Sequence, residues 1–352
     1  MTAGASAAER VPVTVLTGFL GAGKTTLLNR ILREPHGRRY LVVINEFGEA
    51  GIDHDLVESS DEVVMEMNNG CICCTVRADL IGILSRAFAE DRPFDAVIVE
   101  TTGLADPGPV VQTFFVDTSL SERLRLDAVV TVVDAHHIEG QLERAEEASE
   151  QIAMADIVVL NKADLVTGAA LDRVERRIRS LNALAAIHRT SRCEVDLDAV
   201  IDRRAFDLDR VLATEADFLT SDHAHEHDQS IGSVSLALRR PVDQSKVVEW
   251  LVALLQERGA DILRCKGILD VAGQERRFVV QGVHMLLEGD YSRAWQAGEV
   301  RASKLVFIGR NLDAAELQHA VDACTASIHA RALIEPCAGE VAGSAGSGMN
   351  DL

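Results

Sequence analysis

Short, nearly continuous apolar runs rich in Val and Ile recur along the first two-thirds of the chain. They are Val11–Thr17, Tyr40–Asn45, Val63–Met67, Ala96–Glu100, 128–134, Ile157–Asn161 and 185–190. Runs that do not alternate apolar with polar positions suit strands covered on both faces. Between them, apolar residues recur at helical spacing over 25–33, 79–89, 142–154 and 171–183. This alternation predicts an α/β fold with a mostly parallel sheet flanked by helices.

The pattern changes near residue 215. Residues 216–229 are rich in Asp and His and predict a linker between a first domain, 1–215, and a smaller α+β domain, 230–335. In the second domain the expected order is a strand over Ile231–Leu238, a helix over 244–257, strands near 262–271, 278–283 and 304–308, and a helix from 314 to about 332. The Gly-, Ser- and Ala-rich tail, 336–352, is expected to be disordered.

Composition narrows the function. At 352 residues, 47% hydrophobic and 26% charged, the chain has ordinary globular composition with room for two domains. Its 55 acidic against 35 basic residues leave a net charge of −20, which repels nucleic-acid backbones and anionic lipid, so neither is expected as a partner. Aromatics at 4% argue against a base-stacking surface. No basic, apolar leader opens the chain and no apolar run is long enough to span a bilayer, so a soluble cytoplasmic protein is expected.

Against that negative field, phosphate needs a local device. Gly18-Phe-Leu-Gly-Ala-Gly23-Lys24-Thr25 fits the phosphate-loop pattern in full, directly after one predicted strand and opening a helix. Gly21, Ala22, Gly23, Lys24, Thr25 and Thr26 are the expected nucleotide contacts. Backbone amides and the helix N-terminus would hold the β-phosphate, Lys24 would reach the β- and γ-phosphates, and the Thr25 hydroxyl suits Mg²⁺. Glu100-Thr-Thr-Gly103 closes a buried run with a carboxylate facing the Mg²⁺ water shell and a glycine amide for the γ-phosphate. Asn161-Lys162-Ala-Asp164 ends another run, and Asp164 can accept both N1–H and the 2-amino group of guanine, which selects GTP over ATP. The turn Thr190-Ser191 offers a backbone contact to the base.

Seven cysteines are unevenly spread. Cys71, Cys73 and Cys74 crowd a loop after Asn68-Asn69, while Cys193, Cys265, Cys324 and Cys337 are scattered, as small buried hydrophobes are. Such crowding is no disulfide framework. It suits thiolate ligation of one soft ion, Zn²⁺ best, with Co²⁺ or another transition metal as alternative. Three ligands leave one position open, as handing on an ion requires. Glu46, in the loop 45–53, is a further ligand candidate. His223, His225 and His227 form either a metal-collecting tract or a polar hinge, and His136-His137 follow a strand end.

Together, 18–26, the Asn45-Glu-Phe-Gly48 loop, Cys71-Ile-Cys73-Cys74, Glu100–Gly103 and Asn161–Asp164 resemble, in order, the CobW-type P-loop GTPase and metallochaperone family. The resemblance implies a P-loop GTPase domain with a CobW-like C-terminal domain. It further implies binding and slow hydrolysis of GTP to GDP with Mg²⁺, Zn²⁺ at the cysteine motif, and delivery to a client metalloenzyme. Nucleotide- or metal-dependent self-association is compatible with it. Residues 1–11 lack the Cys-Pro-x-Leu-Val element of eukaryotic members, so their client is not carried over. No residue orienting the attacking water is evident. Two other readings stay open: a regulatory GTP switch with structural or redox cysteines, and a metal buffer.

Overall fold

A computed structural model describes residues 10–34, 37–45, 63–67, 73–89, 94–203 and 231–326. The first part runs β1 (Val11–Thr17), α1 (Lys24–Arg33), β2 (Tyr40–Asn45), β3 (Val63–Met67), α2 (Cys73–Ala87), β4 (Ala96–Glu100), α3 (Gly108–Val116), α4 (Thr118–Ser121), β5 (Leu124–Asp134), α5 (Ile138–Leu142), α6 (Glu146–Met154), β6 (Ile157–Asn161), α7 (Gly168–Leu181) and β7 (Ala186–Arg189). Its strands form one sheet in the order β3-β2-β4-β1-β5-β6-β7, parallel throughout. All five residues of β4 and all five of β6 are buried, as strands covered on both faces must be.

One face of the sheet packs on Leu27, Leu28 and Ile31 of α1 and on Cys193 and Val195. The other packs on α2, α3, α6 and α7. In α7, Leu171, Val174, Ile178 and Leu181 make one buried stripe at helical spacing.

The second part runs β8 (Ile231–Leu238), α8 (Gln244–Arg258), β9 (Ile262–Leu269), β10 (Arg276–Val283), β11 (Leu286–Ala294), β12 (Ser303–Arg310) and α9 (Ala314–Ala323). These strands form an antiparallel sheet in the order β11-β10-β9-β12-β8. The pleat of β12 sends Leu305 and Phe307 toward α8 and α9, and Val306 and Ile308 into the core of the first part. A buried charge cluster reinforces that seam. Asp156 accepts from Lys266 Nζ at 2.8 Å and pairs with the Arg264 guanidinium, which also donates to the Met154 carbonyl.

Several elements depart from the sequence expectation. α2 begins at Cys73 rather than at 79, because no breaker separates the cysteines from the apolar stripe at Leu80, Ile83 and Leu84. The helix expected over 142–154 is two, α5 and α6, parted at the extended Ala145. α3 and the edge strand β11 are additional. β11 pairs only with β10, and its polar, exposed residues lack an apolar run. The last helix ends at Ala323, and Thr325 bridges to Val242. The linker 216–229 and tail 336–352 lie outside the described residues.

Candidate active site

In the sheet, β1 lies between β4 and β5, and the strand order turns back there, with β2 to β4 on one side and β5 to β7 on the other. Ligands of such sheets bind beyond the carboxyl ends of the strands at that switch point. The loops after β1, β4, β5 and β6 all open there.

The phosphate loop is built on glycines at positive φ: Gly18 at 142°, Gly21 at 74° and Gly23 at 116°. Ala22 N donates to Phe19 O at 3.1 Å and closes the turn. At Gly23 a Cβ would stand 2.6 Å from Asn161 Nδ2 and 3.2 Å from Cys193 Sγ, so the position excludes any side chain. α1 starts at Lys24 with no acidic residue in its first turn, which leaves its N-terminal dipole to an anion.

Asn161 and Lys162 bind the loop rather than solvent. Asn161 is buried; its Nδ2 donates to Ala22 O at 3.0 Å, and its Oδ1 accepts from Cys193 N at 2.9 Å and Thr190 Oγ1 at 3.4 Å. Lys162, at φ 58°, donates from Nζ to Gly21 O at 2.9 Å and to Asp134 Oδ2 at 2.6 Å. Asp164 is exposed on the 3-10 turn Ala163–Leu165, held by Ala163 N donating to Thr190 O at 2.9 Å. It is the member of the motif left facing outward, as a base contact requires.

Two supporting residues were not among those expected from the sequence. Asp134 ends β5 beside Asn161 in register and also takes His137 Nδ1 at 2.9 Å and His136 N at 2.9 Å. Burial raises its pKa, but the Lys162 and His137 hydrogen bonds outweigh that and hold the carboxyl below its ordinary range. The available signal was a carboxylate closing the largely apolar run 128–134. Cys193 donates from Sγ to Gly23 O at 3.4 Å, and its carbonyl accepts from Arg30 of α1 at 2.9 Å. Burial pushes this thiol up to about 11, so it stays protonated as a donor at neutral pH.

The segment after β4 lies against the phosphate loop. Glu100 is buried and pairs in register with Leu16. Thr101 Oγ1 donates to Thr17 Oγ1 at 2.8 Å, and Thr101 N to Leu16 O at 2.9 Å. A Cβ on Gly103 would stand 2.8 Å from Leu20 N, so the two loops touch where only glycine fits.

On the metal side, Cys73 and Cys74 are the first two residues of α2, not part of a free loop. Cys71, Glu46 and the His223, His225 and His227 tract lie outside the described residues. Among the described residues no three His, Cys, Asp or Glu side chains are placed to hold a metal. His137 is engaged by Asp134, with its ring edge-on to His136. Cys193, Cys265 and Cys324 are buried and free, as expected of core cysteines. No helix among the described residues is long and apolar enough to cross a membrane.

A parallel sheet with a phosphate loop at its switch point and an Asn-Lys-x-Asp turn beside it defines a P-loop GTPase. The model of the CobW/HypB/UreG nucleotide-binding domain matches residues 12–189, and that of the cobalamin synthesis protein cobW C-terminal domain matches 231–325. The chain belongs to the CobW family. It is 36% identical to the zinc chaperone YjiA of Escherichia coli over 315 residues, covering 88% of this chain and 97% of that one. It is 33% identical to zinc-regulated GTPase metalloprotein activator 1 of Schizosaccharomyces pombe, covering 87% and 84% respectively. The crystal structure of Zn(II)-bound YjiA GTPase from E. coli superposes with a TM-score of 0.72 at 31% identity, covering 90% and 99%.

Proposed function

We propose that this chain is a GTP-hydrolysing metallochaperone that holds Zn²⁺ at Cys71, Cys73 and Cys74 and passes it to a client metalloprotein under nucleotide control. One observation carries the reading. α2, which opens with Cys73 and Cys74, follows β3 in the parallel sheet whose carboxyl edge carries the phosphate loop, with β2 and β4 between β3 and β1, so the cysteine motif belongs to the nucleotide's edge of the sheet. α2 opens with Cys73 and Cys74, and thiolates are ligands of choice for a soft ion such as Zn²⁺. The zinc-chaperone and zinc-regulated relatives support the choice of metal.

In this reading the Gly21–Thr26 amides and Lys24 bind the phosphates and stabilise charge on the transferring phosphoryl group. Asp164 reads the guanine edge. The site fits a Mg²⁺ ion carried with the nucleotide: the Thr25 hydroxyl and, through water, the Glu100 carboxylate are the groups that would hold it. Bound there, Mg²⁺ would supply positive charge to neutralise the phosphates. Slow intrinsic turnover is the expectation in this scheme. Glu46, brought in when the loop 45–53 responds to the γ-phosphate, would be a further Zn²⁺ ligand. Residues 1–215 form the GTPase domain and 230–335 the second domain in this scheme.

The test is a Zn²⁺ and Co²⁺ competition titration with GDP, with a GTP analogue and without nucleotide. Coupling on the order of 5- to 150-fold between the nucleotide states is expected, and it must be reciprocal. Equal metal affinities would leave a switch with structural cysteines or a metal buffer instead. Replacing the three cysteines by Ser should remove one tight Zn²⁺ equivalent while GTP affinity stays within about threefold. A second reading is favoured by a solved YjiA mutant with one glutamate and two adjacent cysteines changed to alanine, which is still described as Zn(II)-bound. If the triple variant keeps its tight equivalent, the His223–His227 tract is the site to examine.

A further inference from the structure

The loop that carries Gly103 is braced from behind by a residue outside every nucleotide-binding motif. Gln151 of α6 is buried, 1% exposed, and its Nε2 donates to Gly103 O at 3.2 Å and to Ala105 O at 3.0 Å. Both amide protons of one side chain are therefore used on one turn, which Ala105 N closes by donating to Thr102 O at 3.2 Å. The helix is itself tied to the sheet, because Thr131 Oγ1 of β5 donates to the Gln151 carbonyl at 2.8 Å.

Gln151 Oε1 and Gln141 Oε1 are buried with no hydrogen bond among the described residues. Both residues line a cavity of about 10 Å³ that Phe19 of the phosphate loop also borders. A cavity of that size has room for one water, a partner able to donate to both oxygens at once. The other side of α6 faces the second sheet. Arg310 of β12 binds Glu146 Oε1 at 2.8 Å and pairs with Glu150, and Arg264 of β9 binds the Met154 carbonyl. One short helix thus touches both the Gly103 turn and the second domain.

We propose that Gln151 is a positioning residue of the GTPase, holding the Gly103–Ala105 turn in the geometry that accepts the γ-phosphate. It acts through the backbone of that turn and touches neither nucleotide nor metal. The inference rests on the Gly103 turn being the γ-phosphate sensor, and it is independent of where zinc binds. Its signature is selectivity between nucleotides. A residue that only stabilised the fold would weaken GDP and GTP binding alike, whereas a brace on this turn affects only ligands carrying a γ-phosphate.

The experiment compares wild type and Gln151→Met for binding of GDP and of a non-hydrolysable GTP analogue, and for kcat and KM of GTP hydrolysis. Loss of the two donated hydrogen bonds should lower analogue affinity and kcat about tenfold each, with GDP affinity within about twofold. Equal losses for both nucleotides, or an unchanged analogue-to-GDP ratio, would overturn the role of Gln151. If wild type itself binds the two ligands equally, the γ-phosphate reading of the Gly103 turn fails instead. Amide hydrogen exchange on wild type keeps the inference testable should the variant not fold. The analogue, relative to GDP, should slow exchange in segments 101–107 and 146–154 together. Protection confined to 101–107 would refute the brace.

Discussion

Asn161→Ala isolates the tie between base turn and phosphate loop. The side chain makes three hydrogen bonds, and removing it leaves the Ala22 carbonyl and the Cys193 amide buried without this partner. Each such group costs about 1–3 kcal/mol, so the loss is about 2–6 kcal/mol before any base contact is counted. At 1.4 kcal/mol per factor of ten, the lower bound alone corresponds to about 30-fold in nucleotide affinity if the nucleotide-bound state must restore the loop. Because Asn161 reaches Ala22 and not the Gly103 turn, GDP and a GTP analogue should weaken by the same factor, unlike in Gln151→Met. The nucleotide-free protein should also melt lower, by about 2–4 °C for each kcal/mol lost. Isothermal titration with both nucleotides and calorimetric melting read these effects. GDP affinity within about threefold of wild type, together with an unchanged Tm, would show that the tie carries no energy and that the loop is held by other contacts.

Three further outcomes follow from the geometry. Gly23→Ala places a Cβ 2.6 Å from Asn161 Nδ2 at a backbone φ of 116°, so nucleotide binding should fall at least about 100-fold in fluorescence titration; retained affinity would mean the loop rearranges freely. Asp156→Leu leaves Arg264 and Lys266 buried without their shared carboxylate and should cost about 3–5 kcal/mol in urea unfolding, whereas adding Arg264→Met and Lys266→Met should recover most of it. Glu150 has its carboxyl raised above its ordinary 4.5, chiefly by burial, against the lowering pull of Arg310. The folded state therefore holds this proton more tightly than the unfolded chain, and stability is lost as pH rises from 4.5 through the folded value. Glu150→Gln should remove that loss, gaining on wild type in urea midpoints as pH rises above 4.5, and the opposite trend would mean the ion pair with Arg310 dominates.

Much of the fold is legible along the chain because its signals are local. Strands such as Ile157–Asn161 are apolar at successive positions, and burial on both faces follows from that composition. The glycine-rich turn is legible for the same reason: Gly18, Gly21 and Gly23 sit at positive φ within one short stretch, and their spacing is local. Asn161 and Asp164 were legible as a motif, but their division of labour was not. That Asn161 and Lys162 serve the phosphate loop while Asp164 faces outward depends on contacts spanning 139 and 141 residues. Cys193 and Gln151 carry no local mark, and Asp134 shows only as a carboxylate closing an apolar run. Each is an ordinary residue for its strand, loop or helix until the sheet order brings β5, β6 and α6 beside β1 and β4. The seam with the second domain is of the same kind, since Arg264 and Lys266 read as polar positions of a strand until Asp156, more than a hundred residues earlier, meets them in the core. Propensity and periodicity are set by neighbours a few positions away. Partnership between buried polar groups is set by desolvation, and only the assembled tertiary structure determines which groups lose water together.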